Sequence, residues 1–156
     1  MSLIFMTLHV VAAVFIAGPL AILPMVGLRA VREGNTVQAA SLAKSTSLLS
    51  WLSLIIVVLG FGALGMSDPE DNFSFSDTWV WLSIVLYAVA FVLTMFVVVP
   101  ALRIAGEAPV AVAVAVAAAD GTVVAAKPAG YSRIAIGSGI STLLLVVITV
   151  LMVAKP

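Results

Sequence analysis

The sequence predicts an all-α membrane protein: one four-helix transmembrane bundle with N-terminus and C-terminus both outside. Three observations carry this reading. Uncharged, mostly apolar runs lie from Met1 to Leu28, between Lys44 and Asp68, between Asp77 and Arg103, and between Arg133 and Lys155. Each exceeds the roughly 20 residues that a helix needs to cross about 30 Å of hydrocarbon. Of the 156 residues, 63% are hydrophobic and 9% charged, whereas about a quarter of a soluble domain is charged. The basic residues fall on one side: Arg29, Arg32 and Lys44 in the first connection and Arg103, Lys127 and Arg133 in the third, against none in the second. Lysine and arginine are retained on the cytoplasmic side, so the acidic second connection faces out. Only Lys155 departs from this pattern.

The first span, Leu3–Leu28, is too long for a signal-peptide core, lacks a basic stretch before it and has Arg29 and Arg32 after it. It is expected to remain as a span. Gly18, Pro19 and Pro24 predict a bend within it, because proline removes a backbone donor and crowds the preceding turn. Gly34-Asn35-Thr36 reads as a helix stop followed by an N-cap, so one continuous helix should start near Val37 and enter the membrane near Thr46 as the second span, Thr46–Met66. The third span, Thr78–Leu102, opens with Trp79 and Trp81, which suit the outer interface, and bends at Pro100; Trp51 marks the inner side. Between it and the fourth span, Ile134–Val153, Ala108–Ala119 alternates alanine with valine before Asp120-Gly121. A short helix from Pro109 to Gly121 is favoured there over a hairpin, since alanine is poor in strands and a lone hairpin is marginal. Leu28-Arg29 followed by Glu33, and Leu102-Arg103 followed by Glu107, form a faint repeat that would relate two helical hairpins.

Zero cysteines exclude a disulfide, an iron–sulfur cluster and a thiolate metal site, and zero net charge offers no polybasic tail for nucleic acid. The spans hold no carboxylate, no lysine or arginine at membrane depth, no phosphate-cradling glycine loop and no nucleophile beside a base. No catalytic, cofactor-binding or metal residue is assigned, and the chain is read as non-catalytic. A small transporter would need charged or water-lined groups along its path.

His9, the one histidine, lies in the outer third of the first span. It is expected to be hydrogen-bonded within the bundle. The competing reading is a haem- or copper-handling protein in which a second His9 across a dimer, or Met66 or Met95, completes the ligand set, because ionisable groups inside membranes carry a raised functional prior. Asp68, Glu70 and Asp71 form an acidic outer loop, a solvated connection or a docking point for a basic partner; their spacing does not match a calcium loop. Small and hydroxyl residues should let helices approach closely: Ser47, Ser50 and Ser53; Gly60, Gly62 and Gly65; Gly137, Ser138, Gly139 and Ser141. Most are expected to hold this bundle together, and some to serve an external partner.

Leu8-His9-Val10-Val11-Ala12-Ala13 through Gly18-Pro19, with Pro24 and Arg29 closing the span, and Pro100-Ala101-Leu102-Arg103 resemble the first and third helices of a family of small four-span predicted integral membrane proteins of unknown function. The alanine- and valine-rich composition is similar to actinobacterial sequences. In size and layout the chain resembles accessory subunits of the actinobacterial respiratory supercomplex, which joins a cytochrome bcc complex to an aa3-type cytochrome c oxidase. That resemblance implies a multi-pass protein of the bacterial plasma membrane whose partners are other membrane subunits and phospholipid. Haem and copper would then be carried by neighbouring chains, with none in this one.

Overall fold

The computed structural model describes residues 2–66, 77–107 and 130–154, and among these every regular element is helical. Four helices are long and apolar enough to cross a membrane: α1 (Leu3–Arg32), α2 (Thr36–Gly65), α3 (Thr78–Glu107) and α4 (Tyr131–Ala154). The alternating stretch Ala108–Ala119 and the acidic loop with Asp68, Glu70 and Asp71 lie outside the described residues.

Helix α1 runs past Leu28 to Arg32, and α3 past Leu102 to Glu107, so both overshoot the apolar runs. Arginine is a good helix former and an interfacial helix needs no apolar surround, so the backbone continues into water until a breaker stops it. Gly34 is that breaker for α1: its φ of +69° is left-handed backbone, open to glycine at little cost. Asn35 then caps α2, its side-chain oxygen accepting the Gln38 backbone N–H at 3.0 Å. The helix stop and N-cap therefore stand where the sequence put them.

The helices alternate in direction and pack in a ring. α1 lies against α2 and α4, and α3 against the same two. The apolar core sits near the basic end, where Val31, Ala39, Ala43, Val98, Ala101, Leu102, Ala105 and Ile134 form one buried cluster. Its alanines admit close approach. At Gly106 a Cβ would stand 2.8 Å from the Ala40 backbone nitrogen, so α3 crosses α2 there almost backbone to backbone. Arg32 reaches across this end from α1 to α4, hydrogen-bonding the Tyr131 hydroxyl with its guanidinium 5.5 Å from the ring centroid.

The predicted bends take the form of widened turns. A π-helical segment occupies Ala13–Ala17 in α1 and another occupies Thr94–Val98 in α3. The Gly18 N–H bonds the Ala13 carbonyl, and the Val99 N–H bonds the Thr94 carbonyl, each five residues back. Proline stands two residues past each segment, as Pro19 and Pro100, and the extra residue in the turn makes room for a ring that would otherwise strike the carbonyl behind it. The two segments share Phe-x-x-x-Pro, with Phe15 and Phe96 both about three-quarters exposed. Pro24, buried inside α1, is accommodated without such a segment.

The Leu-Arg–Glu repeat diverges at the level of contacts. Arg29 pairs with Glu33 at 2.8 Å, while Arg103 and Glu107 form no ion pair among the described residues. Pro24, the proline nearer the end of the first span, lies five residues ahead of Arg29, and Pro100 only three ahead of Arg103. One repeat register cannot align both the prolines and the arginines.

Candidate functional site

His9 is held where α1 and α2 meet, toward the end opposite the basic one. Its Nδ1 stands 2.8 Å from the Ile56 carbonyl oxygen, and because a carbonyl only accepts, Nδ1 carries the proton and donates. Gly60, one turn beyond Ile56, makes the approach feasible, since a Cβ there would stand 2.9 Å from His9 Cε1. Phe5, one turn before His9, lies over Gly62 in the same way, 2.6 Å from where its Cβ would be. Gly60 and Gly62 are thus seats for α1 side chains. In the neutral ring Nε2 keeps a lone pair.

Hydroxyls line the middle of the bundle. Ser50 donates to the Thr46 carbonyl at 2.8 Å and Ser53 to the Ser50 carbonyl at 2.6 Å. Tyr87 of α3 stands 2.7 Å from Ser53, whose one proton is already committed, so the tyrosine is the donor. Thr94 in the α3 π segment donates to the Ala90 carbonyl and lies 3.2 Å from the Ser141 hydroxyl of α4. Thr142 of α4 donates to the Ala21 carbonyl of α1 at 3.0 Å. Helix pairs around the ring are therefore joined by hydrogen bonds in a setting where water is scarce. Ser50, Ser53, Tyr87 and Thr94 border a cavity of about 10 Å³, the scale of one water molecule. The Thr46 hydroxyl is fully buried without a partner among the described residues.

The expected packing residues fall mostly into place. Ser50, Ser53, Gly137, Ser138 and Ser141 are buried between helices, and a Cβ at Gly137 would meet Val98 at 2.8 Å. Ser47 is only half-buried, and Thr46 occupies the buried position in its stead. The reason is rotational: steps of three drift around a helix, while Thr46, Ser50 and Ser53, at i, i+4 and i+7, hold one face. Gly18, Gly65 and Gly139 have nothing within 4 Å of a would-be Cβ and so open outward. Tyr87, Thr94 and Thr142 were not singled out in the sequence, though Thr94 lies one turn before Val98, which packs on Gly137. Trp51, placed at the inner interface from sequence, meets Phe91 edge-on with centroids 6.0 Å apart.

At the basic end a groove of about 370 Å³ lies between α3 and the start of α4, walled by Phe96, Val97, Pro100, Ala101 and Ile104 and flanked by Gly130 and Arg133. Among the described residues no group of three or more histidine, aspartate or glutamate side chains stands close enough to share a metal ion.

A closed ring of four apolar helices, bonded internally by hydroxyls and basic at one end, is a small integral membrane protein. The chain belongs to the family described as "Predicted integral membrane protein (DUF2269)", whose model matches residues 3–156. This agrees with the likeness of its first and third helices to small membrane proteins of unknown function. No curated protein and no solved structure matches it.

Proposed function

We propose that the chain is a non-catalytic accessory subunit that stabilises a larger complex of the bacterial plasma membrane by helix packing, most concretely the bcc–aa3 respiratory supercomplex. The observation that carries this reading is how the small residues divide. Ser50, Ser53, Ser138, Ser141 and most glycines of the described residues are used inside the ring, while Gly18 on α1 and Gly139 on α4 are open to the outside. Phe15, three residues before Gly18, projects from the α1 π segment toward the same surroundings. An open glycine beside a projecting ring suits a neighbouring helix. The link to respiration comes from size, layout and composition alone.

The test is copurification from native membranes: the tagged chain, solubilised gently, should bring haem absorbance and oxidase subunits with it. Gly18→Leu and Gly139→Leu should lower that yield while the isolated protein keeps its unfolding temperature. A preparation free of haem and oxidase subunits would overturn the reading.

A second reading, haem or copper handling through His9, draws on the Nδ1 bond, since a histidine that donates from one nitrogen to a carbonyl presents the other in a fixed orientation. Identical featureless visible spectra from the purified protein and its His9→Ala variant would end it.

A further inference from the structure

The four arginines, Arg29, Arg32, Arg103 and Arg133, share the basic end of the bundle, and they divide by what they touch. Arg29 is paired with Glu33, and Arg32 is committed to Tyr131. Arg103 and Arg133 have neither a hydrogen bond nor an ion pair among the described residues, and both are exposed. Arg133 sits at the mouth of the groove between α3 and α4, and Arg103 lies on the adjacent surface of α3, three residues on from the groove-lining Pro100. The wall below them is apolar: Phe96, Val97, Pro100 and Ile104, the first two from the π segment. Gly130 fixes the geometry. Its φ is +80° and a Cβ there would stand 3.2 Å from the Ala101 carbonyl, so the start of α4 is drawn against α3 and Arg133 follows within one turn.

We infer that this groove binds an anionic phospholipid of the cytoplasmic leaflet, its phosphate between Arg133 and Arg103 and an acyl chain laid along Phe96, Pro100 and Ile104. The charge sign and the depth agree. The basic end faces the cytoplasm, where the leaflet surface is negative and attracts arginine near the headgroups. A protein partner of opposite charge would satisfy the arginines but would have no need of an apolar wall running inward from them. The inference holds whether or not the chain has protein partners.

The test uses the full chain in mild detergent, titrated with phosphatidylglycerol or with phosphatidylcholine of identical acyl chains and read by native mass spectrometry. Phosphatidylglycerol should be retained in preference. Arg103→Ala and Arg133→Ala should each weaken that preference about fivefold, and together about 25-fold. Arg29→Ala, whose charge is already paired, should leave it unchanged. Should Arg133→Ala fail to fold, Arg133→Gln against Arg133→Lys makes the same comparison, with only lysine keeping the preference. Equal retention of the two lipids, or an Arg29→Ala loss as large as that of Arg133→Ala, would overturn the inference. So would displacement of the lipid by millimolar inorganic phosphate, which would show that the charge acts without the apolar wall.

Discussion

His9 and Gly60 form a matched pair, since the imidazole reaches the Ile56 carbonyl only because residue 60 has no side chain. Gly60→Leu should force the ring away and cost about 1–3 kcal/mol, as overpacking does. His9→Ala should cost about 1 kcal/mol, the scale of a hydrogen bond inside a membrane bundle. Because both changes destroy the same contact, the double variant should be more stable than the sum implies, and thermal unfolding in detergent measures all three. At this scale the sequence revealed half of each interaction. An intramembrane histidine stands out by type, but the carbonyl that holds it has no side-chain signature. The Ser47–Ser50–Ser53 spacing pointed to the right helix face with its first member one residue off, because only Thr46 keeps the rotation of the face.

At the scale of elements, glycines that look alike in sequence differ in what surrounds them. Gly106→Val should destabilise by about 2 kcal/mol or more, because its Cβ would meet the backbone of Ala40, which cannot turn aside. Gly139→Val meets open space and should leave unfolding within about 0.5 kcal/mol of the parent. Asn35→Ala should cost about 1 kcal/mol by removing the cap of α2. Circular dichroism melts of the three variants, prepared side by side, rank these effects. The Gly34-Asn35 boundary was readable because its chemistry is local: a left-handed residue and then a side-chain acceptor. The π segments were not. Pro19, Pro24 and Pro100 all signal disturbance, yet two are met by a wider turn and one is not. The three prolines alone do not distinguish which is met by which.

For the whole molecule, the four spans followed from hydropathy and length, which lipid enforces without reference to neighbours. The order of helices around the ring did not, because each is apolar over nearly its full circumference and the faces differ mainly in small and hydroxyl residues. Orientation rests on the arginines and is open to direct measurement, since the chain has no native cysteine to give background labelling. In intact cells a membrane-impermeant maleimide should label Leu3→Cys at once and Gln38→Cys only after permeabilisation. The reverse pattern would invert the bundle.

The bonds that close the ring, Arg32 to Tyr131 and Thr142 to Ala21, join the first helix to the last. A ribosome delivers those partners roughly a hundred residues apart, so the first three helices must wait in the bilayer with Thr94 and one flank of α1 still facing lipid. A product truncated before residue 131 would keep those flanks open permanently. Membrane proteases that survey unassembled helices would thus meet a chain marked as unfinished until its final span arrives.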